Sequence, residues 1–207
     1  MIEKTQIGKI EKKSLGSIKK RKIIEIPLLF QINLPYIRKE ILEEYSKKLT
    51  SYHTILKKWI QDYESNIEKI DKIYLQALTE TNIDQIQELD YIENEQNFYY
   101  ILIKDLIGRG AKLQITEDTE LVNESLAWLS QIQNYDVLDI DYQLFLETIK
   151  DRDISITRKI EETLNENETA ILLIGSEHSF SFSDEIEHIK FRPPIVEDII
   201  KLLKNST

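Results

Sequence analysis

Cysteine is absent from this 207-residue sequence, which excludes disulfides, thiolate catalysis and cysteine-ligated zinc. Long apolar runs are missing as well; none approaches the ~20 residues needed to span a bilayer. The N-terminus has no apolar core before a small-residue cleavage site, so no secretory signal is expected. Histidine is scarce, with three scattered residues and no H-x-x-x-H or H-E-x-x-H spacing, which makes a preformed zinc site a weak reading. The G-x-S-x-G elbow of serine hydrolases is missing too, since Gly175-Ser176 runs on into Glu177. Together these absences point to the cytoplasm, with no membrane span.

What is present fits one folded domain. The chain is 41% hydrophobic and 31% charged, enough apolar material for a core and too much for general disorder. The net charge of -10 conceals an asymmetry. Residues 1–22 hold eight Lys or Arg against Glu3 and Glu11, a balance of +6, which leaves -16 for the remainder. Residues 1–21 therefore read as a basic N-terminal arm, disordered or folded back on an acidic body, and 22–207 as a single α/β domain. Such an arm could touch nucleic acid or anionic lipid. No aromatic residue interleaves its basic ones to stack on bases, so nucleic acid is not the expected partner.

The apolar patterning alternates strand and helix. Lys22–Phe30 reads as a first strand, with Pro27 a complication because proline cannot donate to a ladder. A long amphipathic helix is predicted from about Pro35, with Ile37, Ile41, Tyr45, Leu49, Tyr52, Ile55, Trp59 and Tyr63 as its apolar stripe. Lys69–Leu78 reads as a second strand, and residues 83–92 as a short helix. A further helix over Glu95–Ile107 carries Phe98, Ile101, Leu102 and Leu106 on one face. Gly108-Arg-Gly110 stops that helix and delivers the chain to a third strand at 111–115. Those glycines precede a strand, whereas a phosphate loop follows one, so they read as a helix cap. Helices are expected over 119–133, with Thr116 or Asp118 as N-cap, and over 139–165. A fourth strand at 169–174, a fifth at 187–191 and a last helix through Leu203 complete the pattern. Alternation of this kind predicts a mainly parallel sheet of about five strands flanked by helices, joined by right-handed crossovers.

Chemistry is expected where strands end. Thr169-Ala-Ile-Leu-Leu-Ile-Gly-Ser-Glu-His178 is an apolar run that delivers polar residues to a carboxyl edge, where open α/β sheets bind ligands. His178 could act as a general base, a metal ligand or an anion contact, with Glu177 beside it as a substrate contact. A loop histidine bonded to the next helix is the bland alternative. Glu117 and Asp118 close the third strand in the same way and could pair with His178 or help it hold a divalent cation. A Thr-Glu-Asp sequence before a helix is equally what capping and the helix dipole favour. Arg152 could hold a carboxylate or phosphate bidentately, or Asp151-Arg-Asp153 could be a solvated turn. His53 and His188 read as structural or exposed.

These motifs occur in an order that resembles known proteins. Thr116-Glu-Asp118, then Arg152-Asp153 leading into Ile156-Thr-Arg-Lys-Ile160, then Glu168 to His178 is similar to a group of uncharacterised prokaryotic α/β proteins. More distantly, the chain resembles the TraB, ChaN and erythromycin-esterase-like assemblage over roughly residues 95–192. That resemblance implies a crevice at the strand ends faced by His178, Glu117 and Arg152. It also implies metal-dependent hydrolysis in some branches and ligand or haem binding in others. The chain departs from the pattern at its first strand, where Gln31 and Asn33 stand in place of a histidine or acid. Leu75-Gln76-Ala77-Leu78 likewise stands where an acid and a glycine are expected.

Two functions follow. In the first, the protein is a degenerate, non-catalytic member that binds a small molecule or a protein partner, with the Tyr45, Tyr52, Trp59 and Tyr63 stripe as core or interface and a homo-oligomer open. In the second, it is a metal-assisted hydrolase of a small polar substrate. His178 then binds the metal or moves a proton, Glu117 or Asp118 serves as ligand or base, Arg152 holds an anionic group and Gln31 orients the substrate.

Overall fold

Residues 169–174 are buried along their whole length, as a strand with helices on both of its faces must be. A computed structural model of the chain describes residues 20–30, 37–84, 98–134 and 139–204, with backbone alone at 133–134 and 139–141. In chain order its elements are β1 (Arg21–Pro27), α1 (Lys39–Asn66), β2 (Lys72–Leu75), α2 (Phe98–Gly108) and β3 (Lys112–Gln114). They continue as α3 (Thr119–Asn134), α4 (Asp139–Thr163), β4 (Thr169–Ile174), β5 (Ile186–Lys190) and α5 (Pro194–Lys204). The strands form one sheet in the order β3-β2-β4-β1-β5, and every pair is parallel. No helix among the described residues is long and apolar enough to cross a membrane.

That order fixes where a crevice opens. The steps from β1 to β2 and from β2 to β3 run one way along the sheet, and those from β3 to β4 and from β4 to β5 run the other. Right-handed crossovers then place the intervening segments on opposite faces. Accordingly Ile24, Ile26, Ile73 and Ile171 pack in one core with α1, α2 and α5. Ile23, Tyr74, Leu172 and Ile174 pack in another against Ile156 and Ile160 of α4. Adjacent β2 and β4 send their onward connections in opposite directions, so the gap at the sheet's carboxyl edge lies between them.

Pro27 is accommodated although β1 lies inside the sheet. Even-numbered β1 amides face β4, as Lys22 and Leu28 do by donating to Glu168 and Ile174 carbonyls. The nitrogen of Pro27 therefore faces β5, whose pairing has already ended at Glu25 with Lys190. Its carbonyl accepts the hydroxyls of Tyr52 at 2.7 Å and Tyr99 at 3.2 Å. Tyr45 similarly donates to the Phe30 carbonyl at 2.6 Å. Tyr45 and Tyr52 of α1 are thus core residues that fix the exit from β1 through backbone carbonyls, while Tyr63, further along α1, donates to Glu68 Oε1 at 2.7 Å.

Several boundaries differ from the sequence reading. Helix α1 starts at Lys39, because Arg38 has an extended backbone (φ -59°, ψ 142°) that cannot continue a helix from Pro35. Its buried stripe runs through Leu56 and Ile60, while Ile55 is 42% exposed and Trp59 half-buried. Strand β2 is shorter than 69–78 because Ala77 turns the chain with φ 60°. In α2, Tyr99 and Ile103 face the core and Ile101 faces out. The end of α2 is a Schellman cap: the Ala111 amide donates to Leu106, the Gly110 amide to Ile107, and Gly110 takes φ +97°. The short helix expected over 83–92 lies largely outside the described residues, as do residues 1–19 of the basic arm. Strand β1 begins at Arg21, the last residue assigned to that arm, whose guanidinium donates to the Glu161 carbonyl at 2.7 Å.

A carboxylate is buried inside the sheet. Glu25 of β1 is bonded by His188 Nε2 at 3.0 Å and Arg192 Nη2 at 3.2 Å, with Lys190 Nζ at 3.4 Å. Burial pushes its carboxyl up, but the His188 hydrogen bond and the charges of Lys190, His188 and Arg192 outweigh burial and hold it below the ordinary 4.5. A carboxyl depressed by folding stabilises the native state above its unfolded pKa, and that contribution is lost as pH falls through the folded value. Wild type is expected to lose stability more steeply than Glu25→Gln below about pH 4.5, read by urea denaturation at stepped pH. In the same assay Ile73→Ala should cost about 2–5 kcal/mol and Ile55→Ala less than about 0.5 kcal/mol.

Candidate ligand pocket at the carboxyl edge of the sheet

Each strand that ends beside the crevice contributes a polar group to it. Gln76 is the first residue after β2, and its Oε1 accepts the amide of Gly175, the first residue after β4, at 2.7 Å. Its Nε2 donates toward His178 Nε2 at 3.3 Å. His178 Nδ1 lies 2.5 Å from Asp153 Oδ1, and Asp153 Oδ2 accepts the Ser179 amide at 2.9 Å. These contacts define a neutral imidazole that donates from Nδ1 to the carboxylate and accepts at Nε2 from the Gln76 amide. The His178 side chain has no exposed surface.

Glu117 sits at the matching place after β3 and is 1% exposed. Its carboxylate takes a bidentate pair of bonds from Arg152, Nε to Oε2 at 2.6 Å and Nη2 to Oε1 at 2.9 Å. Oε1 also accepts the Ala77 amide at 2.7 Å. Arg152 Nη1 continues to the Ser125 hydroxyl of α3 at 2.9 Å. The neighbouring side chains therefore do different work from the sequence expectations. His178 is bonded to neither Glu117 nor Asp118. Asp118 is the N-cap of α3, its Oδ1 accepting the Glu120 amide at 2.9 Å. Thr116, the other cap candidate, instead accepts the Leu75 amide at 2.9 Å and pins the end of β2. Asp151-Arg-Asp153 is not a solvated turn: Arg152 is buried, and Arg152 and Asp153, consecutive on α4, each hold a different strand-end loop. Gln31 lies outside the described residues.

Above this network lies a cavity of about 570 Å³, within the ~300–1,000 Å³ range of small-molecule sites. Leu28 and Phe30 beyond β1, Gln76 and Ala77 beyond β2, and Gly175 to Glu177 beyond β4 line it from the carboxyl edge of the sheet. Tyr99 and Ile103 of α2 wall one side, and Leu126, Leu129, Phe145 and Ile149 of α3 and α4 wall the other. Arg152 and Ser125 reach the lining; Glu117 and His178 stay beneath it. The sequence reading missed Gln76 and Asp153 as site-forming residues. The signal for Gln76 was its place as the first polar residue after a buried strand, the same signal that singled out Glu177 and His178.

The other two histidines are engaged elsewhere. His188 bonds Glu25, and His53 stacks on Phe98 with ring centroids 4.0 Å apart, where burial holds its pKa below the ordinary 6.5. Among the described residues no group of three or more His, Asp or Glu side chains is placed to hold a metal ion. No family model, no curated protein and no solved structure matches the chain.

The buried pair makes a specific energetic claim. Arg152→Met strands a carboxylate without its counter-charge, and by urea denaturation it should cost about 3–5 kcal/mol. Glu117→Gln combined with Arg152→Met removes both charges, and it should cost clearly less than Arg152→Met alone.

Proposed function

We propose that the chain binds a small, mainly apolar ligand in the cavity above β2 and β4, and that it does so without catalysing a reaction. The observation that carries this reading is the consumption of the reactive groups by the fold. Both ring nitrogens of His178, both oxygens of Glu117 and three of the N–H groups of Arg152 are held by other protein groups. What they leave facing the cavity is a mainly apolar wall, the surface that removes an apolar ligand from water. The likeness to the TraB, ChaN and erythromycin-esterase-like proteins rests on residue motifs alone, and ligand binding without hydrolysis is one of the outcomes that likeness implies.

The metal-assisted hydrolase draws on a single observation, the Asp153–His178 pair, in which a carboxylate orients an imidazole as it does beside metals and nucleophiles. That chemistry requires Nε2 to be released from Gln76.

A neutral fluorophore separates the two. 1-Aminoanthracene should bind wild type saturably with enhanced emission, and Leu129→Trp, which fills the cavity from a half-exposed rim position, should weaken it at least about tenfold. Absence of binding to wild type rejects the ligand reading. For the hydrolase, a rise in wild-type melting temperature with Zn²⁺, Mn²⁺ or Mg²⁺ that EDTA reverses and His178→Ala lacks would support a metal at that residue.

A further inference from the structure

The cavity's polar end carries an unbalanced negative charge. Among the described residues Arg152 is the one Lys or Arg in its lining, and the bidentate bond to Glu117 matches that charge. Gln76 is occupied at both ends of its amide. Glu177 also lines the cavity, and its carboxylate makes no hydrogen bond or ion pair among the described residues. The carboxylate is folded back against Gly175, in the space that a Cβ at that position would fill. The glycine thus leaves room for this exposed acid to lie at the lip of an apolar cavity at the strand end. Phe30, Tyr99 and Phe145 add aromatic rings to the same lining, and ring faces attract cations.

Resting on the ligand-binding reading above, we propose that the ligand has an apolar body and a cationic, ammonium-bearing end, and that Glu177 is the residue that receives the ammonium. Charge complementarity selects this class. A carboxylate or phosphate end would meet Glu177 with a like charge, and among the described lining residues it would find no cation that Glu117 has not already paired.

The test uses the full chain and three probes of equal length: decylamine, decanol and decanoate, each below its micelle concentration, displacing 1-aminoanthracene. The amine should displace the dye at a concentration at least about tenfold lower than the alcohol, and the acid should be the weakest. Glu177→Gln should bind the dye as wild type does and bring the amine to within about threefold of the alcohol. Glu166→Gln, on the exposed turn that leads into the amino end of β4 while the cavity lies at its carboxyl end, should keep the full preference, which removes the general attraction of an acidic protein for cations as the cause. Equal displacement by amine and acid in wild type, or an amine preference that survives Glu177→Gln, overturns the proposal. Those outcomes leave dye binding intact and the ligand reading standing. Failure of the dye to bind wild type removes both. The wild-type comparison decides the charge preference independently of any variant.

Discussion

The ion pair between Glu117 and Arg152 is the constraint from which the carboxyl edge of this sheet is built. A carboxylate with 1% of its surface in water is tolerated only with a counter-charge and hydrogen bonds to its remaining lone pairs. The planar guanidinium meets the first need with two parallel bonds, a geometry lysine cannot supply. The Ala77 amide meets part of the second, and by doing so stabilises a left-handed alanine that would otherwise favour glycine. The exit of β2, the exit of β3, α3 through Ser125 and α4 through Arg152 thus converge on a single negative charge. A parallel network ties the exit of β4 to the same helix, one residue on, through His178 and Asp153.

A network closed in this way suits holding a shape better than moving protons. A general base must reach the proton it removes, and a nucleophile needs a base with a free lone pair. Here the acceptor nitrogen of His178 is already bonded to Gln76, and the Gln76 carbonyl is bonded in turn to Gly175. The result is a rigid polar floor under an apolar chamber. On the proposed ligand-binding reading, rigidity of that kind would lower the ordering cost of binding, since the lining would be immobilised beforehand.

Much of the fold was legible because the strands and helices are unambiguous in period. Strand β4 is a six-residue apolar run buried on both faces, and the sequence placed its limits at 169 and 174, where they are. The Gly108–Gly110 cap was legible because a left-handed residue after an apolar helix has a chemical signature. The Asp118 cap was legible only as one of two candidates; Thr116 has the same capping chemistry, and the hydrogen bond that diverts it comes from Leu75, a residue remote in sequence. The site was legible in composition but not in pairing. Position after a strand marked Glu117 and His178 as edge residues. The partner of each lies on α4, and no local pattern relates residue 117 to 152 or residue 178 to 153. The apolar chamber was illegible for the same reason: Ile103, Leu129 and Phe145 lie on three different helices, and only the topology brings them to one cavity.

The connection from β4 to β5, residues 175–185, has no helix, although parallel strands are usually joined by one. Its covering of the sheet is done by rings. Phe180 stacks with His178 on one side and Phe182 on the other, and Phe182 meets His188 of β5 edge-on with centroids 5.0 Å apart. The first residues of this loop are the lip of the cavity, and its last residues lead into the strand at the sheet's border. Cavity lip and sheet border are therefore linked by one short run of contacting aromatic side chains. The residues that line the chamber and the strand that borders β1 are thereby joined by one short stretch of chain whose rings touch one another.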